Sequence, residues 1–527
     1  MRLTEILPRA VLSYPTKIAV ACGEARLSYA EIGARVSAVT AALQSFGINP
    51  GDRVGLLHKN CHRVLETYFA AVHAGAVLVP FNYRLTAKDL AFIIDDTQTR
   101  LIVADTEFAD LANAATHRSQ TGCRIVWSRD ESGRVTNVSG DDYEQVIKNF
   151  TSHKLPIPTA SENDPANLYY TSGTTGRQKG VILTQKNIYS HALGTIADLK
   201  LHDADVWAHI APMFHLADAW AIWAITWVGA RHVMIGKFAA PGVLRAFVEH
   251  AITVTNVIPT MLNDLVHCPD AGAYDYPSLR LLMSGGAPIS PSLVQRLVDT
   301  FRCEYIQTYG LTETSPYLTF SLLKDHLKSL SKDEQMRYRS MTGRAALGVE
   351  LRVVDESNND VPPDNQSVGE IIARGDRVTP GYWKLPEVTA DAFRDGWFRT
   401  GDLATIDSEG YLNIVDRKKD TIVTGGEVVY STEVEHALYE HPAVLEAAVV
   451  SVPDERWGEA IKAVVVLKPG QRTTGEDLIA HCQERLARFK CPRSVDFIAA
   501  LPRTGSGKIA KKEIRDRYWI GQAKRVH

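Results

Sequence analysis

The sequence predicts an α/β protein of at least two domains, and three observations carry that reading. Over roughly the first 400 residues, stretches with helical spacing of apolar side chains alternate with short strand-like runs, the pattern of a substantially parallel sheet. Beyond Lys419 the pattern changes to a short, compact mixture of both element types. The length, 527 residues, is more than one hydrophobic core usually serves. The boundary is expected between 418 and 419, giving an N-terminal domain over 1–418 and a small C-terminal domain over 419–527.

The first clear unit is βαβ-like. Residues 54–57 read as a strand, 61–73 have helical spacing, and 75–80 (GAVLVP) read as a buried strand ending at Pro80. Residues 151–165 are polar and hold three prolines, a loop delivering the chain to a further strand at 166–170. Directly behind it stands TSGTTGRQKG, from Thr171 to Gly180. Such a loop can wrap a polyphosphate, because glycines let backbone N–H groups approach and a lysine supplies charge. The common phosphate loop has Gly-Lys followed by Ser or Thr, whereas here Lys179 follows Gln178 and precedes Gly180. A second near-match, TGSGK at 504–508, also departs, with Ile509 where the hydroxyl belongs and Pro502 at the first glycine position.

Residues 321–341, rich in Lys, Glu and Asp with spaced leucines, read as a solvated helical excursion. Past the charged run Arg417-Lys418-Lys419-Asp420 and the pair Gly425-Gly426, residues 431–440 and 475–489 read as helices and 447–452 and 463–467 as strands. That tail is an α+β unit in the making.

Composition narrows the function classes. A formal net charge of -3 shows no polyanion-seeking bias, so nucleic acid is not an expected partner. The first ten residues carry Arg2, Glu5 and Arg9 and do not look like a signal peptide, and no apolar run reaches bilayer length. The final Arg525-Val526-His527 is not a peroxisomal address. Seven cysteines without Cys-x-x-Cys spacing suit a reducing cytoplasm, where they serve as packing residues.

Five further segments accompany the phosphate-loop candidate in order: Ser284-Gly285-Gly286-Ala287-Pro288, Tyr309-Gly310-Leu311-Thr312-Glu313-Thr314, Trp397-Phe398-Arg399-Thr400-Gly401-Asp402, DRKKDTIVTGG from Asp416 to Gly426, and PRTGSGK from Pro502 to Lys508. Together the six resemble the adenylate-forming superfamily of acyl-CoA synthetases, luciferases and peptide-synthetase adenylation domains, over nearly the whole chain. The resemblance implies a large N-terminal region of sheet-and-helix subdomains plus a distorted barrel, with a small mobile C-terminal domain. It also implies ATP, Mg²⁺ and coenzyme A as cofactor and co-substrates, and a small carboxylic acid as substrate. A homodimer is compatible with it.

By that resemblance, Thr171, Ser172, Gly173, Thr174, Thr175 and Lys179 cradle the β and γ phosphates. Most relatives have Pro where Gln178 stands. Tyr309 lays its ring on adenine, with Gly285, Gly286 and Ala287 as the opposite wall. Thr312 bonds the α-phosphate, Glu313 holds Mg²⁺, and Asp402 and Arg417 bond the ribose. Lys508 bridges the substrate carboxylate and the α-phosphate, stabilising charge in the transition state. Lys419 is the hinge for a domain rotation before thioester formation, and Gly425 and Gly426 face the pantetheine tunnel. Relatives usually read Gly-Gly-Glu-Asn there, whereas this chain has Glu427 then Val428.

For the acid, Pro212-Met213-Phe214-His215 matches the segment that borders the carboxylate end of the acyl pocket in acyl-CoA synthetases. Amino-acid-activating relatives have Asp at the His215 position, and histidine does not supply that charge at neutral pH. Acetate-specific relatives have Trp at the Gly310 position, so Gly310 is expected to leave room for a longer, branched or arylalkyl acid. Trp220, Trp223 and Trp227, at helical spacing, either line that space or simply pack a helix. The function expected is an acyl-CoA ligase. A luciferase-like oxidase and an idle nucleotide- or acyl-binding protein are the alternatives.

Overall fold

In the computed structural model the described residues are 2–129, 138–150, 155–158, 160–172, 178–503 and 509–520. They cluster into two compact units. The first takes in the described residues up to 172, then 178–351 and 373–398; the second takes in 352–372 and 399–520.

The first unit holds two large sheets. Seven strands form one, in the order Asp141–Asp142, Arg124–Ser128, Leu101–Asp105, Arg53–Leu57, Val77–Pro80, Pro165–Ser172 and Gln178–Thr184. Its pairs are parallel except the last, an antiparallel hairpin at the sheet edge. The expected βαβ unit is there: strand Arg53–Leu57, helix His62–His73, strand Val77–Pro80. The helix is buried along its whole length, and Phe69 and Tyr68 from it pack against Trp223.

The second sheet has nine strands. Its parallel centre runs Glu304–Gly310, Leu281–Gly285, Val254–Asn256, Val206–His209, Arg231–Met234 and Ile18–Cys22. Antiparallel strands close both edges: Tyr317–Phe320 and Arg344–Ala345 at one, Ala25–Ser28 at the other. Helices start where the sequence supplies caps. Thr184, at the end of the hairpin, accepts from Asn187 N–H and starts Gln185–Leu199, while the Asn187 side chain accepts from Thr184 N–H in return. The expected excursion at 321–341 is a short turn, Asp325–Ser329, and a helix, Lys332–Ser340, capped by Ser331 and Glu334. That helix is not wholly solvated, because Met336 is buried and Arg339 donates to the Tyr305 carbonyl at 3.1 Å.

The second unit carries a sheet in the order Glu427–Val429, Ile422–Thr424, Gly458–Leu467, Val444–Asp454, with Ser494–Phe497 also pairing on Gly458–Leu467. Helices Ser431–Tyr439 and Gly475–Gln483 cover it, through a core that includes Val434, Leu438, Ile461 and Leu478. The second of these ends six residues before the predicted 489; its tail is a separate turn, Arg488–Lys490. Cys22, Cys61, Cys303, Cys482 and Cys491 are buried packing side chains. Among the described residues no helix is long and apolar enough to cross a membrane.

Candidate active site

Parallel sheets gather ligand-binding residues at the carboxyl ends of their strands, and several candidates lie at such ends in the nine-stranded sheet. Gly285 ends one central strand, Tyr309 and Gly310 end its neighbour, and the run from Ile210 to His215 leaves a third at His209. The adenine-wall candidates are tied to the strand of Tyr309. Gly285 pairs with Thr308, whose hydroxyl donates to the Ser284 carbonyl at 2.9 Å, and Gln307 Nε2 donates to the Ala287 carbonyl at 2.8 Å. A Cβ on Gly285 would collide with Thr308 Oγ1, and Gly286 has φ +84, so both positions demand glycine. Gly286 and Ala287 are exposed and Tyr309 is half-buried.

The described residues of the phosphate-loop candidate, 171–172 and 178–180, belong to the two strands of the edge hairpin. Its ladder pairs Thr171 with Lys179 and Ser172 with Gln178, so Gln178 belongs to the strand. Gly173, Thr174 and Thr175 lie outside the described residues, as does Lys508.

A strap that the sequence reading missed, 376–383, joins this hairpin to the turn Thr312–Thr314. Thr379 N–H donates to the Glu313 carbonyl (2.7 Å), Ile182 N–H to Gly381 (3.1 Å) and Trp383 N–H to Gly180 (2.7 Å). Asn187 Nδ2 donates to the carbonyls of Asp376 and Val378 at 2.8 and 2.9 Å. The strap delivers Tyr382, whose hydroxyl donates to Glu313 Oε1 at 2.9 Å while Lys179 Nζ sits 5.5 Å from its ring centre. Burial, together with the Glu313 charge, pushes the Tyr382 phenol far above its ordinary value, so it stays a donor. Lys179 and Glu313, 134 positions apart, thus meet across one tyrosine. The signal that could have found it is Thr379-Pro380-Gly381, a turn-forming run ahead of two aromatics, Tyr382 and Trp383.

His215, half-buried, stands at the N-cap of the short helix Leu216–Ala219, its ring 4.3 Å from that of Phe214. The Ala217 carbonyl accepts from Asn256 Nδ2 (2.8 Å), Trp220 Nε1 (3.1 Å) and the Tyr317 hydroxyl (3.1 Å). Below lies a fully buried chain: Trp207 Nε1 and His209 Nδ1 on the Asp218 carboxylate at 3.1 and 2.9 Å, then His232 and Thr226. Burial, with the neighbouring His209, holds His232 well below its usual range.

One expectation about the acid changes here, and one open alternative is decided. A Cβ on Gly310 would land on the carbonyl of Pro316, with Leu318 N also at 2.9 Å, so backbone fills the space beside Gly310. Trp220 and Trp223 are 1% exposed and pack into the main core against Trp207, Tyr317, Tyr68 and Phe69; Trp227 packs on Tyr189. The tryptophan stripe is helix packing.

In the second unit, Asp402 and Arg417 are cross-strand partners, with Arg417 Nε 3.3 Å from Asp402 Oδ1. Beside them Glu370 accepts from Arg399 at 2.6 Å and from Lys418 at 3.3 Å. Burial raises the Glu370 carboxyl, but these partners outweigh it and hold it below its ordinary range. Lys419 lies in the turn Lys418–Asp420, and its carbonyl accepts from Arg515 at 3.2 Å. Gly425 and Gly426, with φ +60 and +86, form the two-residue turn between paired strands. A Cβ on Gly425 would strike the Trp457 ring, whereas Gly426 faces open space.

Comparison with known proteins agrees with this layout. Residues 7–383 match the AMP-binding enzyme family and 433–508 match the AMP-binding enzyme C-terminal domain. A feruloyl-CoA synthase from Amycolatopsis sp is 36% identical over 505 residues, 96% of each chain. A long-chain-fatty-acid–CoA ligase from Thermus thermophilus is 35% identical, covering 98% of this chain and 96% of its own. ATP-bound MatB from Rhodopseudomonas palustris superposes with a TM-score of 0.86 at 29% identity, over 98% of this chain and 99% of that one. The chain belongs to the AMP-binding, adenylate-forming enzyme family, close to its acyl-CoA ligases.

Proposed function

We propose that this chain is an AMP-forming acyl-CoA synthetase. A carboxylate oxygen of the acid bonds to the α-phosphorus of ATP as the bond to the pyrophosphate oxygen breaks, giving an acyl adenylate. The sulfur of coenzyme A then bonds to the acyl carbon, the acyl–phosphate bond breaks, AMP leaves, and the thiol proton passes to solvent.

The observation that carries the reading is the Lys179–Tyr382–Glu313 constellation at the loop end of the hairpin. Two anions meet in the first step, so cationic and oriented donors along the phosphates are what the reaction needs. Lys179 and Thr171 serve the β and γ phosphates, together with Ser172, Gly173, Thr174 and Thr175, and Thr312 serves the α-phosphate. Asp402 and Arg417 hold the ribose. Lys508 bridges carboxylate and α-phosphate in the adenylation step.

Glu313 is a single carboxylate, and among the described residues there is no group of three or more His, Cys, Asp or Glu side chains able to hold a metal. Such a donor set fits Mg²⁺ arriving with ATP, because magnesium takes its remaining ligands from phosphate and water. When bound, the ion neutralises phosphate charge. Tyr382 orients the carboxylate that would receive it.

A pivot at Lys419 leaves Asp402 and Arg417 on the nucleotide side and carries Lys508 with the remainder. The hold of Arg515 on the Lys419 carbonyl supports a defined pivot there. The acid is larger than acetate, in the aryl, branched or fatty range. That reading rests on the substrates named for the feruloyl and long-chain relatives, not on space at Gly310. Acid-dependent pyrophosphate exchange across short, branched, fatty and aryl acids, followed by CoA-dependent AMP release, tests it. Exchange with no acid in the panel would refute it, and oxygen uptake in place of thioester would point to an oxidase.

A further inference from the structure

We infer that Asn60 is a positioning residue for the acid, acting through the backbone that delivers Phe214 and His215. The inference rests on the acyl-CoA ligase reading and goes beyond it by naming a determinant of acid selection. Asn60 is buried, three residues past the carboxyl end of strand Arg53–Leu57 in the seven-stranded sheet. Its Nδ2 donates to the carbonyls of His209 (3.1 Å) and Ala211 (2.8 Å), and its Oδ1 accepts from Met213 N–H at 2.8 Å. Those three peptide groups span the run from the end of strand Val206–His209 in the other sheet to the residue before Phe214.

Only a primary amide carries both donors and an acceptor in one short planar group. A carboxylate keeps the bond to Met213 N–H but turns oxygen toward two carbonyls. An apolar side chain leaves the Ala211 carbonyl and Met213 N–H seeking partners, while the His209 carbonyl keeps its bond from Ile235 N–H at 3.1 Å.

A second side chain completes the clamp. The Tyr68 hydroxyl donates to the Met213 carbonyl at 3.2 Å and lies 2.6 Å from the Tyr169 hydroxyl, on the strand that leads into the phosphate hairpin. Both peptide groups of Met213 are therefore held from the seven-stranded sheet. Phe214 in turn rests edge-on against Tyr83 at 4.7 Å, and Tyr83 stacks on Phe108. His215 thus takes its place from contacts made one and two residues earlier. A displacement of about an ångström in a positioning element can cost roughly a hundredfold in rate.

The test is Asn60→Asp, assayed by pyrophosphate exchange with a panel of acids, alongside KM for acid and for ATP and a thermal melt. Losing donors to two buried carbonyls should raise KM for the acid about tenfold, leave KM for ATP within about twofold, and change the kcat/KM ratio between an aryl and a short acid by about threefold or more. A folded variant with unchanged acid KM and unchanged ratio overturns the inference. So does an equal rise in both KM values, the mark of general loosening. Should Asn60→Asp fail to fold, Tyr68→Phe decides: it removes one hydroxyl, and a rise in KM for the acid with KM for ATP unchanged supports the clamp, while no change in the acid KM refutes it. If the unmodified enzyme shows no acid-dependent exchange, the ligase reading itself falls. If it is active and the variants match it, only the clamp falls.

Discussion

The hairpin that presents Lys179 and the segment that presents His215 are held in opposite ways, although both belong to the same compact unit. Backbone does most of the holding at the hairpin: its own ladder, then main-chain hydrogen bonds between the strap and Gly180, Ile182 and Glu313. Around His215 the backbone is held by side chains reaching from elsewhere, Asn60, Tyr68, Asn256, Trp220 and Tyr317. A phosphate presents nearly the same shape in every relative, so a backbone cradle suits it. An acid pocket must differ between relatives, and side-chain supports can be exchanged one at a time. On the proposed assignment of phosphate to the hairpin and acid to the His215 segment, the difference separates a part built for a constant ligand from a part that can be retuned.

The largest expected effect bears on whether either side suffices without the residue assigned to the chemistry. Lys508→Ala should lower acyl adenylate formation by ~10²–10³-fold, as loss of one oriented donor at developing charge does. Thioester formation from supplied acyl adenylate should be largely spared, and rapid-quench assays of the two halves read both. Equal loss in both halves would mean that the two sides need no such residue for adenylation alone.

Next is the phosphate side. Tyr382→Phe removes a hydrogen bond to a carboxylate, an interaction typically worth about 1.5–3 kcal/mol, and should raise KM for MgATP by about tenfold. KM for the acid should stay put. Movement of the acid constant instead would show that the strap serves both sides and would dissolve the contrast.

Gly310 sits on the seam between them. With backbone where its Cβ would go, Gly310→Trp should cost about 1–3 kcal/mol or more of stability, measured by urea unfolding. A variant of normal stability that only prefers shorter acids would show that the Pro316 carbonyl yields and that Gly310 borders the pocket after all.

The smallest effect is expected in the second unit, as a control for electrostatics. The folded Glu370 carboxyl lies below its unfolded value, so its contribution is complete above about pH 4.3 and is lost as pH falls through the lower folded value. Glu370→Gln should flatten that acid limb of a denaturation midpoint followed over roughly pH 3 to 6. An unaltered limb would say that Arg399 and Lys418 do not stabilise the ionised carboxyl in solution.

Legibility in the sequence tracks the same contrast. Gly285, Gly286 and Gly425 could be read because backbone geometry restricts the residue type at each position. Asp402 and Arg417 were each read as bonding the ribose, and the sheet register makes them cross-strand neighbours. Tyr382 went unread because a single tyrosine after a turn resembles any surface aromatic until the strap is folded against Glu313. Asn60, Asp218 and the His209–His232 pair went unread for a similar reason: their partners lie 149 to 153, 9 and 23 positions away and no spacing rule connects them. Gly310 was misjudged because a missing side chain says nothing about what fills its place.

The sequence by itself determined the α/β class, the six ordered motifs and the chemistry they imply, because periodicity, glycine and charge constrain the backbone locally. Only the tertiary structure decided which side chains meet across the two large sheets, whether a glycine opens space or closes on a carbonyl, and what holds His215 in place. Those outcomes depend on close packing between segments distant in the chain, where a shift of one methyl group changes the answer and local pattern carries no record of it.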